Sequence, residues 1–279
     1  MKILFLTKFS EVEHYLFHFT KKIHAALPVE VDILHVVNAY PQIPLKHDGT
    51  IIDQCVDYDL SELNNLKLKE SLIANEIKNE YSFIQSAMVE IGNLERIVKH
   101  KLSNATYDFI FMGAHQTSLI EDITHETTIE RIMELSDTPV LSLKCDQSHN
   151  SGIDKIGIFD DFNLSKPNNF IALSKLANAF GSEIHLFKLS NKKSSGEEEM
   201  LELEAMKNFA AENDLKNFQI HLLPLNGNSE EGMITENIIK ENLNLIAITE
   251  LHRKTFSWIL SKNLKTSIAD HILAPLLIY

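Results

Sequence analysis

The sequence contains a long internal repeat, and a repeat of this length decides how many domains the chain can form. The segment Tyr107–Gly113 aligns with Leu243–Thr249 at an offset of 136 residues (243 − 107), and the same offset places Pro139 on Pro275 without a gap. Each copy reads as a buried strand, a polar loop, a helix, a proline and a second buried strand. Such a period is too long for a solenoid unit and has the size of a small domain, so it indicates a duplicated domain.

A second match lies near the start of each half. Lys2–Ser10 aligns with Lys155–Asn163 at an offset of 153 (155 − 2). A chain of 279 residues fits two domains of about 150 residues each. We therefore predict one domain over residues 1–144, a polar and turn-rich linker over 145–153, and a second domain over 154–279.

Apolar strands alternate with amphipathic helices in both halves. In the first half the pattern predicts, in order, strand Lys2–Leu6, helix Glu11–Ala26, strand Val31–Val37, an irregular insert Pro41–Asp59 and helix Ser61–Met88. In the second half it predicts strand Ile156–Phe159, a helix from about Pro167 to Phe180 stopped by Gly181, strand Glu183–Leu189 and a helix from about Glu197 to Asn213. Strands that are apolar throughout favour a parallel sheet covered on both faces. The predicted fold class is α/β, with two Rossmann-like domains, each an open five-stranded parallel sheet.

Composition limits the classes of function. The formal net charge of −13 argues against general nucleic-acid binding, which depends on phosphate contacts made by Lys and Arg. No apolar run reaches the length of about 18 residues that a membrane helix needs, so no membrane association is expected. The two cysteines form no pair motif, which suggests neither a disulfide framework nor a thiolate metal site and fits a reducing cytoplasm.

Ligands of open parallel sheets bind beyond the carboxyl ends of the strands. The relevant loops here follow the first strand and the strand that ends at Gly113 or Thr249. The first-strand loops read Thr7-Lys8-Phe9-Ser10 and Asp160-Asp161-Phe162-Asn163, and the second strand ends in His35-Val36-Val37. These segments resemble the universal stress protein family over nearly the whole chain, twice. The resemblance implies an adenine nucleotide alpha hydrolase-like fold and a site for ATP or AMP.

In that family the phosphate loop reads Gly, two residues, Gly, nine residues, Gly, then Ser or Thr. At these positions the first half has Gly113, Gln116, Glu126 and Thr127. Glycines in such a loop let backbone N–H groups approach phosphate closely. Glu126 instead places a carboxylate where a polyphosphate would lie, which costs affinity by like-charge repulsion.

The second half keeps the same spacing without any of the glycines. Its residues are Thr249, His252, Lys262 and Asn263. The acidic residue that helps hold the nucleoside in nucleotide-binding members is matched by Asp161 here, whereas the first half has Lys8 at the corresponding position. No half retains a complete set, so the spacing indicates the fold more strongly than it indicates nucleotide binding.

The second-half loop is rich in positive charge for an acidic protein. His252, Arg253, Lys254, Lys262 and Lys265 lie in or beside it. If they converge, they can hold a small anionic ligand or an acidic segment of a protein partner. The alternative is a solvated loop and helix face, which is what charge runs usually are.

The sequence shows no enzyme signature. It lacks a GxSxG elbow, a Walker loop, an HExxH motif and a paired CxxC, so we expect no catalytic residues. His14 and His18 have the i, i+4 spacing of metal ligands, but we interpret them as an exposed helix face.

The function expected from these features is a universal stress protein-like regulator or adaptor of the stress response, with ATP binding weak or lost. The alternative is a nucleotide-responsive protein that binds ATP or AMP in the second half, and a slow ATPase is less favoured. The candidate binding residues are Gly113, Thr127, Asp161, Asn263, His252, Arg253 and Lys262.

The last strand of each half is predicted to have an apolar edge that needs covering. These strands are Val140–Leu143 and Leu276–Tyr279. Because an isologous interface survives duplication and fusion, we expect the two halves to pair as an intramolecular pseudo-dimer, and a further homodimer is compatible with the sequence.

Deleting Leu276–Tyr279 is predicted to make the protein aggregation-prone, because the deletion exposes the edge of the neighbouring strand. Size-exclusion chromatography with light scattering checks this outcome. A truncated protein that stays monodisperse and unfolds cooperatively would contradict it.

Overall fold

The computed structural model describes residues 1–52, 58–114, 128–135, 137–144, 152–162, 170–190, 196–248 and 274–278. The chain divides into two compact units, and the division falls between Val140 and Leu141. The sequence placed the first boundary at residue 144, and most of the predicted linker, residues 145–151, lies outside the described residues. Within the described ranges no helix is long and apolar enough to cross a membrane.

The first unit is built on parallel strands in the order β3-β2-β1-β4. Strand β1 is buried at four of its five positions, as expected for a central strand covered on both faces. The elements are β1 (Lys2–Leu6), α1 (Glu11–Ala26), β2 (Glu30–Asn38), α2 (Ser61–Glu80), β3 (Ile84–Gly92), α3 (Leu94–Asn104), β4 (Phe109–Ala114) and α4 (Thr128–Met133).

The second unit repeats this plan with parallel strands in the order β10-β9-β6-β7-β8, and β5 is next to β10 in the strand order. Counted along the sequence, β1–β5 come from the first half of the chain and β6–β10 from the second, five strands each, which confirms the predicted fold class. The elements are β5 (Val140–Lys144), β6 (Lys155–Phe159), α5 (Ile171–Phe180), β7 (Glu183–Ser190), α6 (Gly196–Glu212), β8 (Phe218–Pro224), α7 (Glu230–Glu241), β9 (Leu245–Ile248) and β10 (Leu276–Ile278).

The backbone repeats along with the sequence. Lys2 pairs with Glu30 in the first unit, and Lys155 pairs with Glu183 in the second, both pairs being related by the offset of 153. The loop after the first strand of each unit contains a phenylalanine with a left-handed backbone, Phe9 at φ 55° and Phe162 at φ 53°. A non-glycine residue rarely adopts this conformation, so its recurrence at equivalent positions supports a common origin of the two loops.

One element of the sequence prediction is wrong. Ser61–Met88 was predicted as a single helix, but α2 ends at Glu80 and Ile84 begins β3. Ile84 and Met88 fit a helical spacing by chance, whereas their segment hydrogen-bonds along β2 as a parallel strand. Leu66, an apolar residue of α2, is 42% exposed. The buried residues of α2 are Leu63, Ala74 and Ile77.

Gly181 ends α5 as predicted. It adopts a left-handed conformation at φ 65°, and its N–H donates to the carbonyls of Ala177 and Asn178. Only glycine takes this conformation without steric cost, which is why it is the usual residue past a helix end. The start predicted for this helix, Pro167, lies outside the described residues.

The insert after β2 forms a small core of its own. Ile43 and Ile51 of the insert are each 4% exposed and pack against residues of β2, β3 and α2. We call this group the insert cluster; it consists of Val37, Ile43, Ile51, Leu63, Ala74, Val89 and Ile91. Because Val37 and Ile91 lie near the ends of their strands, the insert covers the carboxyl ends of β2 and β3.

A close backbone approach holds the insert in place. The carbonyl of Gly49 accepts a hydrogen bond of 3.0 Å from the N–H of Asn93, and the Arg96 side chain donates to the carbonyl of Lys46 at 3.0 Å. A Cβ atom at Gly92 would lie 2.1 Å from the carbonyl oxygen of Gly49. Only glycine fits at position 92, because the obstructing atom belongs to the backbone.

Gly92→Ala is predicted to lower the free energy of unfolding by about 1–3 kcal/mol, because the added methyl group forces the insert away from β3. Gly196→Ala is the matched control, since a Cβ there meets no atom within 4 Å. Urea denaturation of both variants measures the difference. Equal stability of the two variants would contradict the close approach.

Candidate functional site

The candidate site of each unit lies where its central strands end. In the first unit Leu6 of β1 pairs with Met112 of β4, so the loops that follow these strands start side by side. The strand order reverses between β1 and β4, which is the point where open parallel sheets bind ligands. Gly113, a predicted site residue, follows Met112 here and is buried.

A buried carboxylate closes the loop after β1. Glu13, near the start of α1, is 1% exposed. Its carboxylate accepts hydrogen bonds from the N–H of Ser10 at 2.8 Å, from the N–H of Lys8 at 3.3 Å and from the Ser10 hydroxyl. The backbone donors that precede the helix are thus satisfied from within the chain.

The same loop is packed from the other side by aromatic rings. The Phe9 ring lies 5.0 Å from the His35 ring, measured between centroids, and Phe9 also packs against the insert cluster. His35 is fixed by a hydrogen bond of 2.7 Å between its Nδ1 and the carbonyl oxygen of Thr7. Because a carbonyl only accepts, Nδ1 carries the proton. The predicted His35-Val36-Val37 strand end therefore supports the loop after β1.

In the second unit two aspartates follow β6. Asp160 is 4% exposed, and its Oδ1 accepts a 2.7 Å hydrogen bond from the N–H of Asp161. Asp161, the predicted nucleoside contact, is half-buried. Phe162 is buried and packs edge-on against Phe209 of α6 at 4.9 Å. Asp161 therefore occupies the carboxyl end of the sheet, as predicted, beside a second carboxylate that is more deeply buried.

The structure describes two of the seven predicted binding residues. Gly113 is the next-to-last residue of β4 in the first unit and Asp161 follows β6 of the second, so they belong to two separate sites. The other five, Thr127, His252, Arg253, Lys262 and Asn263, lie outside the described residues, as do Gln116, Glu126 and Thr249. The hypothesis of a basic anion-binding loop stays a prediction.

Sequence reasoning missed Glu13. The signal was present, because Ser10 followed by Glu13 matches the capping-box spacing, in which the glutamate side chain accepts from the N–H of the residue before the helix. At the offset of 153 the second half has Lys166 at this position, outside the described residues. The two halves thus carry opposite charges at equivalent places in the sequence.

No metal centre is formed by the part of the chain that the structure describes. Its His, Cys, Asp and Glu side chains make no group of three or more that could hold an ion. His14 and His18 are both exposed on α1.

Comparison by sequence identifies no relative: no family model matches, and no curated protein matches. Comparison by structure identifies proteins of similar fold. A universal stress protein from Archaeoglobus fulgidus matches 99% of this chain and 95% of its own, with a TM-score of 0.64 and 18% identity. A Pseudomonas aeruginosa UCBPP-PA14 protein, provisionally assigned as a universal stress protein, matches 99% of this chain and 92% of its own, with a TM-score of 0.57 and 14% identity.

The cytoplasmic domain of a prokaryotic cation chloride cotransporter also matches, over 99% of this chain and 94% of that one, with a TM-score of 0.51 and 11% identity. Identities this low establish the fold and no more. The likeness covers both repeats in a single alignment, which agrees with the duplication seen in the sequence. Along nearly its whole length, the chain has the fold of the universal stress proteins.

Proposed function

We propose that this protein is a universal stress protein-like regulator or adaptor of the stress response, in which nucleotide binding by the first unit is lost. The observation that carries the proposal is the buried Glu13 carboxylate, which accepts from the N–H groups of Lys8 and Ser10. The stress-response role is inferred from the resemblance and the shared fold, whereas the loss of nucleotide binding is inferred from the closed loop.

The closed loop opposes a polyphosphate for an electrostatic reason. A helix N-terminus attracts phosphate when its N–H groups are unpaired and point to the ligand. Glu13 already accepts from the N–H groups of Lys8 and Ser10 just before α1 and adds a negative charge there, so an anion that approaches the loop after β1 meets repulsion. The replacement of loop glycines by Gln116 and Glu126 in the sequence acts in the same direction.

Packing around Phe9 opposes the nucleoside as well. Its ring contacts His35 and the insert cluster, so the space beside the end of β2 is filled by side chains of the protein itself. A base entering there would have to displace buried apolar contacts, each of which contributes to stability.

The alternative function is a nucleotide-responsive protein that binds ATP or AMP through the second unit. Asp161 lies at the carboxyl end of β6, where the resemblance places the nucleoside contact. The capping carboxylate of the first unit is replaced by Lys166, which favours an anion electrostatically. A slow ATPase has less support, because no catalytic constellation was found in the sequence.

The proposed adaptor works in the cytoplasm through a protein partner or a small anionic ligand. The basic residues His252, Arg253 and Lys262 are the proposed contacts for either one. The cytoplasmic domain of a prokaryotic cotransporter carries the same fold, so the fold also occurs as a domain attached to other machinery. We further propose that the two repeats associate as a pseudo-dimer, with a homodimer of whole chains as an extension.

Adding ATP or AMP with Mg²⁺ is predicted to leave the melting temperature of the purified protein unchanged. A ligand that binds the folded state stabilises it by about 2.7 kcal/mol at a hundredfold excess over its dissociation constant, so differential scanning fluorimetry would detect a working site. A shift that persists in Glu236→Ala, an exposed control on α7, and disappears in Asp161→Ala would establish the alternative function.

Glu13→Ala is predicted to destabilise the protein by about 1–3 kcal/mol, because it removes the acceptor of the Lys8 and Ser10 N–H groups in the partly buried loop after β1. Glu76→Ala on the exposed face of α2 is the matched control, and urea denaturation measures both variants. If both variants have the stability of the wild type, the carboxylate does not close the loop. A phosphate-dependent stabilisation that appears only in Glu13→Ala would show that this carboxylate excludes anions.

A further inference from the structure

Two histidines, one buried and one half-buried, lie in contact on adjacent strands of the second unit. His185 is near the start of β7 and is 1% exposed, and His221 is on the neighbouring strand β8. The Nδ1 atom of His185 and the Nε2 atom of His221 are 3.0 Å apart, and the rings stack with centroids 5.1 Å apart.

The hydrogen bond between the two rings needs one proton shared by two nitrogens. One nitrogen donates and the other accepts, so at most one of the two rings can be a positively charged imidazolium while the bond persists. Two imidazolium rings stacked at this distance would repel each other. In the described part of the chain, Nε2 of His185 has no hydrogen-bond partner, and its nearest carboxylate oxygen, Oε2 of Glu183, is 3.8 Å away.

The charges around the pair already balance. Glu183 is 3.7 Å from Nζ of Lys155 on β6 and also accepts from the Gln219 amide of β8. Glu241, at the end of α7, lies 3.9 Å from Nδ1 of His185 and 3.3 Å from Nζ of Lys240. Each of these carboxylates already has a lysine beside it. A proton taken up by the two histidines therefore adds a buried positive charge that neither carboxylate is free to neutralise.

Burial lowers the pKa of both histidines. For His185 the nearby carboxylates Glu183 and Glu241 raise the pKa without overcoming burial, and for His221 the neighbouring His185 lowers the pKa further. The unfolded chain therefore binds protons at a pH where the folded chain does not. Stability is full above the ordinary histidine pKa of about 6.5 and is lost as the pH falls from there to the folded pKa.

The first unit has a different polar group at the equivalent position. The offset of 153 places Asp32 on His185, and the Asp32 carboxylate accepts from Ser86 and from Tyr107 at 2.8 Å, with Lys2 at 3.3 Å. Burial raises the pKa of Asp32, but these hydrogen bonds outweigh it and leave the pKa below its ordinary value. Asp32 therefore keeps its charge at mildly acidic pH, and only the second unit carries a titrating pair at this position.

We propose that His185 and His221 form a proton-sensitive latch in the second unit, which joins β7 to the edge strand β8 at neutral pH and releases β8 on acidification. The latch acts at the opposite end of the sheet from the loop after β6. It goes beyond the proposed function, because it operates whether or not nucleotide binds.

The first test is the pH dependence of unfolding in the full-length protein. In the wild type, lowering the pH from 7.5 to 5.5 is expected to raise the unfolding equilibrium constant by up to about tenfold for each of the two histidines. The double variant His185→Gln/His221→Gln should lose this part of the increase. His18→Gln, on the exposed face of α1, is the matched control and should behave as the wild type does.

The second test measures the wild type alone, so it does not depend on the double variant folding. Imidazole ¹⁵N resonances of His185 and His221 should titrate below pH 6.5. Hydrogen exchange, corrected for the intrinsic rate, should accelerate at pH 5.5 in Phe218–Pro224, with no change in β3. Titration of both rings at or above pH 6.5, an unchanged pH slope in the double variant, or equal acceleration in β3 would overturn the latch.

Discussion

Burial of the central parallel strands on both faces is the constraint from which the rest of each unit follows. Ile3, Leu4 and Phe5 of β1 are fully buried, and so are Ile158 and Phe159 of β6. Side chains of this size each contribute about 1.5–3 kcal/mol when fully removed from water. The middle of the sheet is therefore reserved for apolar residues, and polar chemistry is confined to the two ends of the strands.

Both ends of the sheet contain buried charge, and its surroundings decide what the charge can do. At the carboxyl end of the first unit, Glu13 is satisfied by backbone and hydroxyl donors, so it stabilises the loop after β1. At the amino end, Asp32 is satisfied by Ser86, Tyr107 and Lys2, whereas the equivalent His185 has a second histidine as its partner. The repeats thus share a backbone while their buried polar groups have diverged.

The elements whose apolar residues recur at one regular spacing were predictable from the sequence. Strand β1 and helix α1 have the predicted bounds, because each has a single apolar pattern and turn residues beside it. The segment after α2 was not predictable, because the spacing of Ile84 and Met88 fits a helix as well as it fits a strand. Pairing with β2 decides between the two, and such pairing between distant segments leaves no local signal. At the candidate site, the position of Asp161 after β6 was predicted, but the closure of the first loop by Glu13 and Phe9 was not.

The sequence by itself determined the duplication, the α/β class and the position of the loops that follow the strands, because these depend on period and spacing along the chain. Tertiary structure alone decided that the insert covers the ends of β2 and β3, that Phe9 packs into it, and that His185 meets His221. Those contacts join residues far apart in the chain, and their energy depends on burial and hydrogen-bond geometry. Neither quantity is encoded in the local sequence pattern. Only the folded chain therefore shows which buried polar groups have their charge neutralised and which can still take up a proton.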